Sequence, residues 1–181
     1  LPIVAGSFVN AVFSNPRGYS ALECVIAAVG YTLQLYFDFS GYSDIAIGVG
    51  ALFGFEFPEN FNKPYHATDL FSFWNRWHLT LSTWLRDYLY RPLGGNQGSK
   101  LQTLRNTMIV MSLGGLWHGG DGRFLIWGAL HGVFLVLWRI WWWVAGKPKR
   151  GEAGVVRNVV GWLVMFNAVV FARSFFRADT M

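Results

Sequence analysis

An all-α, multi-pass membrane bundle with one amphipathic interfacial helix is the fold class the sequence predicts, and three observations predict it. Of 181 residues, 53% are apolar, 18% aromatic and only 14% charged, a balance foreign to a soluble domain. Two runs, at 124–145 and 155–176, approach the roughly 20 apolar residues that a spanning helix needs. Residues 69–90 place aromatics at helical spacing on one side and charges on the other.

The elements follow in chain order. Residues 1–19 are mixed, begin Leu1-Pro2-Ile3 without an initiator Met, and carry no signal-peptide pattern, so the chain reads as an interior or C-terminal piece of something longer. Asn15-Pro16-Arg17-Gly18 is a turn signal before a first weaker span at 20–37. A second weaker span covers 40–57, and between the two lies YFDFSGYSD, with Asp38 and Asp44 flanking Ser40 and Gly41. Carboxylates at that depth either face a polar cavity or partner, or sit solvated in an interfacial turn. The proline-bracketed stretch 57–64 is a polar connection, and Thr68 or Asp69 is placed to cap the helix 69–90. On its wheel Trp74, Trp77, Leu81, Trp84, Leu85 and Tyr88 share a stripe opposite Asp69, Arg76 and Asp87. Such a face suits the bilayer interface or a slot between spans. The helix stops at Arg91-Pro92, and LGGNQGSK is a loop without phosphate-cradle spacing.

A third weaker span, 101–118, ends in SLGGLWHGGDG; two stronger ones, 124–145 and 155–176, complete the chain. The first of these is interrupted by His131 and Arg139, the second by Arg157, Asn158, Asn167 and Arg173. The net charge of +5 gathers beside these segments, which points to a membrane surface and not to nucleic acid. Lys147, Lys149, Arg150 and Arg157 flank one turn and Arg91, Lys100 and Arg105 another, whereas 119–123 holds one cation, so the first two turns read as cytoplasmic and the third as external. Arg173 and Arg177 weigh against that count. Lone Cys24 has no partner for a disulfide or a cysteine metal site, and no histidine–carboxylate spacing suggests another metal.

Chemistry concentrates in the histidines. His131 reads as packing, and His66 as an ordinary loop residue. His118 differs because Gly114, Gly115, Gly119, Gly120 and Gly122 surround it and give access in place of bulk. A haem shared by His118 and His131 is opposed by the break at 119–122. General base catalysis asks for one neutral imidazole withdrawn from water, whose pKa then falls below about 6.5. A hydroxyl attacking an activated acyl group is a reaction such a base could serve, with Trp117 excluding water and His78 or Asn75 holding the acyl oxygen. A transporter or channel lined by the same polar groups is the competing reading.

Several runs in order, YTLQLYFDFSGYSDIAIGVGALFGFEFPENFNKPY at 31–65, FWNRWHLTLSTWLRDYLYRPLGGN at 73–96, GLWHG at 115–119 and SFFRAD near the end, resemble the membrane-bound O-acyltransferases, in particular the alginate O-acetyltransferase branch. Gly120-Asp121-Gly122 departs from that branch's Ala and polar residue after the histidine. The resemblance implies a multi-helix enzyme of the bacterial inner membrane, with acetyl-CoA as acyl donor and an extracytoplasmic polysaccharide, or an accessory periplasmic acetyl-transfer protein, as partner. D-alanyl transfer to teichoic acid belongs to the same fold. The family's signature histidine maps onto His118 and its second polar position onto His78. Arg76, Arg86 and Arg91, near Lys100 and Arg105, form a basic rim that would meet either the donor's phosphates or lipid headgroups.

Overall fold

The computed structural model describes residues 2–146 and 154–177. Among them the regular structure is entirely helical: α1 (Pro2–Ser14), α2 (Ala21–Leu52), α3 (Leu70–Trp74), α4 (Leu79–Leu85), α5 (Lys100–Trp117), α6 (Gly122–Ala145) and α7 (Val155–Arg177), with short 3₁₀ turns at Pro16–Gly18 and Pro64–His66. Three helices, α2, α6 and α7, are long and apolar enough to cross a membrane. The expected span 101–118 exists as helix α5 but is not one of these three, because Gln102, Thr103, Arg105, Asn106 and Thr107 make its first half polar. The cations Lys147, Lys149 and Arg150, and Ala178 and Asp179 of SFFRAD, lie outside the described residues.

Two compact units divide the chain, residues 1–59 with 169–181, and residues 60–168. In the first, α1 and α2 form an antiparallel hairpin. A Cβ on Gly30 would lie 3.2 Å from Val9, and Phe13 meets Tyr31 edge-on at 5.7 Å. Ser20 opens α2 with a capping box: its hydroxyl accepts from the Glu23 N–H while the Glu23 carboxylate accepts from the Ser20 N–H at 2.8 Å. From there α2 runs without a break to Leu52, so the expected spans 20–37 and 40–57 are one helix. Ser40, Gly41 and Ser43 looked like a turn in the sequence. Inside a long helix, however, a glycine costs only about 1 kcal/mol relative to alanine, too little to stop propagation. In the same unit the end of α7 is tied by Arg177, whose guanidinium donates to the Asn10 side chain at 3.0 Å.

The second unit holds α3 to α6 and residues 155–168 of α7. The expected single helix 69–90 is broken here. Asp69 caps α3 by accepting from the Ser72 N–H at 2.8 Å, but α3 ends at Trp74, and His78 adopts the left-handed conformation, φ 46°, before α4 begins. The segment 60–62 runs beside the break and satisfies its backbone: Leu79 N–H donates to the Asn60 carbonyl and Asn62 N–H to the Arg76 carbonyl. With the phase reset at His78 the aromatic stripe divides. Trp77 is buried among Phe61, Tyr65 and Phe73, whereas Trp84 and Tyr88 are exposed and pair with each other at 5.5 Å. After α4 the chain makes one π turn, Arg86–Tyr90, closed by Arg91 N–H on the Arg86 carbonyl.

Candidate active site

The site is built on the hairpin of α5 and α6. Ser99 and Gln102 form a capping box that starts α5, and the Asn106 amide, fully buried, ties down the preceding loop by donating to the carbonyls of Leu93 and Gly95. The two helices then cross backbone to backbone. A Cβ on Gly115 would lie 2.3 Å from the Phe124 carbonyl oxygen, and one on Gly128 2.3 Å from the Met111 carbonyl oxygen. Small residues at this crossing give the close contact that holds helices together where lipid supplies no hydrophobic drive. Gly132 extends it against Met108.

This crossing sets the depth of His118, the C-cap of α5, which follows Gly115 by one turn. Its ring meets Trp127 of α6 edge-on at 5.2 Å and Trp117 at 5.0 Å. Trp127, buried, also touches Trp74 and His131, each ring pair near-perpendicular. Asp121 starts α6 by accepting from the Arg123 N–H, so the turn that the glycines predicted does separate His118 from His131. Trp127 is in contact with both imidazoles. His131 is 1% exposed within Trp74, Trp127 and Phe134, in keeping with its reading as a packing residue.

His78 sits against the outer side of Trp117, ring centroids 6.3 Å apart. Its Nδ1 lies 3.1 Å from the Asn60 side-chain oxygen, which also accepts from the Thr80 N–H and hydroxyl. The Thr80 N–H can only donate, so the Asn60 atom is an oxygen and His78 Nδ1 carries the proton toward it. The neutral ring therefore presents Nε2 as an acceptor. Burial, and secondarily the nearby His118, pulls the His78 pKa from 6.5 down to about 4, which keeps the ring neutral at physiological pH.

A cavity of about 350 Å³ opens from His118. It follows the hairpin past Gly114, Met111 and Val110 to Thr107 on α5, and past Leu135 to Arg139 on α6. Eleven residues of helix separate Thr107 from His118, a length of about 16 Å. Trp74, Trp127 and Asn75 line it as well, as do Arg86 and Tyr90 of the π turn. Asn75 is exposed. Arg139 stacks over Phe71 at 4.8 Å and donates to the Asn96 side chain at 2.9 Å, while its Nε is buried without a hydrogen-bond acceptor. Among the described residues no carboxylate pairs with it.

Of the residues singled out in the sequence, the structure brings His118, Asn75 and Arg86 to one cavity, with His78 beside them. Trp117 is 61% exposed and does not line the cavity, so the inner wall is Trp127. Asp38 and Asp44 are exposed on α2, in the other unit, and line neither cavity described here. Arg76 donates to the Asn62 carbonyl, Arg105 to its neighbour Asn106, and Lys100 lies over the Trp143 ring, all away from the cavity. Arg86 and Arg91 both pair with Asp87 at 2.9 Å, and of the two only Arg86 lines the cavity. Trp127 and Arg139 were missed as site residues because an apolar run marks a tryptophan as core and a lone arginine as an interruption. The one available signal was that an ionisable group inside a span is a functional candidate by default.

Comparison with known proteins identifies the family of the chain. Over 156 residues, 86% of this chain and 29% of the relative, the sequence is 51% identical to a probable alginate O-acetylase of Pseudomonas aeruginosa. It is 41% identical over 174 residues to a peptidoglycan O-acetyltransferase of Helicobacter pylori, covering 96% of this chain and 32% of that protein. With a teichoic acid D-alanyltransferase of Bacillus subtilis it shares 37% identity over 150 residues, 78% of this chain and 38% of the relative. The chain thus spans about three-tenths of the length of the first two relatives. Residues 19–177 match the sequence model of the membrane-bound O-acyltransferase family, and the chain belongs to that family.

Proposed function

We propose that the polypeptide containing this chain is an O-acetyltransferase of the bacterial inner membrane, transferring acetyl from cytosolic acetyl-CoA to hydroxyls of an extracytoplasmic polysaccharide, with His118 as general base. The observation that carries this reading is the placement of His118, braced by Trp117 and Trp127 at the end of a cavity whose other end holds a cation without a carboxylate partner. His118 takes the proton of the attacking hydroxyl as its oxygen bonds to the acyl carbon. The carbon–sulfur bond then breaks, and the proton passes to the departing thiolate. The Asn75 amide is the donor suited to the developing oxyanion; His78, whose Nε2 only accepts, suits a hydroxyl instead. Arg139 and Arg86 suit the donor's anionic end, which reassigns to Arg139 the role expected of Arg91.

Acetyl transfer is favoured over D-alanyl transfer because the O-acetylating relatives are the more similar. In cells carrying the full-length polypeptide, His118→Ala abolishes esters on the polysaccharide while membrane insertion is retained, and mass spectrometry of the released acid finds acetate in the wild type. Normal ester content in the variant refutes the role of His118, alanine in place of acetate refutes the acyl group, and donor-independent solute flux in liposomes favours a transporter.

A further inference from the structure

A second cavity, about 820 Å³, lies between α6 and α7 and shares no lining residue with the first. Its volume falls in the range of about 300–1,000 Å³ typical of ligand sites. Composition changes along its length. Toward the connection between the helices it is lined by Ala145, Arg157 and Asn158, and further along both helices by Phe134, Val164 and Ala168. Phe134 and Ala145 are eleven positions apart, as are Arg157 and Ala168, so the groove runs about 16 Å from its polar mouth, largely apolar apart from Thr68 and Asp69 beside Gly161. Asp69, the one carboxylate on the wall, is engaged in capping α3. Arg157 is exposed and has no carboxylate partner among the described residues, so the rim presents a cation to an incoming anion.

We infer that this groove holds one acyl chain of an anionic phospholipid, with its phosphate on Arg157. A cation at the rim of a deep apolar groove, beside the tryptophans at the end of α6, matches a molecule whose charge sits at the membrane surface and whose tail enters the hydrocarbon. A further helix of the same polypeptide is the rival occupant, and the walls disfavour it. Helices α5 and α6 pack through Gly115, Gly128 and Gly132, whereas the α6 side of this groove is walled by Trp138, Trp141 and Trp142, and Gly161 on the α7 side is already closed against the Thr68 carbonyl. Bulky rings keep a helix backbone at a distance and leave slots that a flexible chain fills.

The test uses the full-length polypeptide in nanodiscs of mixed phosphatidylglycerol and phosphatidylcholine, with bound lipid counted by native mass spectrometry. Retention favouring phosphatidylglycerol is expected. Arg157→Gln should lower that preference about fivefold, the effect of one cation near a phosphate. Val164→Trp, which fills the groove, should lower retention of both lipids. Benzoylphenylalanine in place of Trp141, itself 59% exposed, should crosslink to lipid on irradiation. An unchanged preference in Arg157→Gln overturns the inference, as does crosslinking to protein alone, which would identify a helix as the occupant. Acetyl transfer enters none of these readouts, so they stand or fall separately from the role of His118.

Discussion

Alanine at Gly128 would strike the crossing that sets the position of His118. Its Cβ would lie 2.3 Å from the Met111 carbonyl oxygen and 2.9 Å from Gly115 Cα, whereas ordinary contact begins at 3.4 Å. Both neighbours are backbone, so no rotamer relieves the clash, and α5 and α6 must part by about 1 Å. Overpacking of this kind costs about 1–3 kcal/mol. Because Trp127 precedes Gly128 and His118 follows Gly115 by one turn, the same displacement opens the contact between their rings. A misplacement of about 1 Å at a catalytic group lowers a rate on the order of 10²-fold. Thermal unfolding and acetyl-transfer rate of the purified full-length polypeptide read the two effects, with Gly120→Ala as control, since a Cβ there meets nothing within 4 Å. Wild-type rate and melting temperature in Gly128→Ala would refute the claim that this backbone crossing positions the base.

Other perturbations separate the remaining roles. Asn75→Ala should lower kcat by about 10²- to 10³-fold, the usual effect of losing one oxyanion donor, with little change in KM for the donor; a change confined to KM would count against that role. Arg139→Gln should raise KM for acetyl-CoA at least tenfold while leaving kcat for a short, uncharged acetyl thioester unaltered, and equal loss on both donors would show that Arg139 is structural. His78 is held near pKa 4, below its ordinary 6.5, so its folded-state contribution is undiminished above pH 6.5. As pH falls from 6.5 toward 4 the unfolded chain takes up a proton that the folded chain resists, and stability declines. His78→Asn should flatten that part of a melting-temperature profile, and an unchanged slope would deny the depressed pKa.

Helices with strong local signals were legible in the sequence. Apolar length defined α6 and α7 to within two residues, and α5, Lys100–Trp117, lies within one residue of the expected 101–118 at each end. Two breaks were misjudged for opposite reasons. Asp38, Ser40, Gly41 and Asp44 form a cluster that looks like a turn, yet exposed polar residues on a helix leave its backbone bonds intact, and α2 continues. At 75–78 an unbroken amphipathic pattern concealed an interruption, because what stabilises it is Asn60, distant in sequence and invisible to any local window. The base candidate His118 stood out through its glycines. Its actual wall, Trp127, and the cation Arg139 did not, since both depend on which faces of α5 and α6 the glycine crossing turns toward the cavity.

The most direct test of His118 as the base is the initial rate of acetyl transfer by the purified full-length polypeptide in nanodiscs, measured for wild type, His118→Ala and His118→Gln with acetyl-CoA and a polysaccharide acceptor. General base catalysis contributes about 10²- to 10⁴-fold, so both variants should lose at least a hundredfold in rate while binding acetyl-CoA as the wild type does. A rate within threefold of wild type in His118→Gln, which keeps a polar side chain but cannot accept the proton at neutral pH, would contradict it.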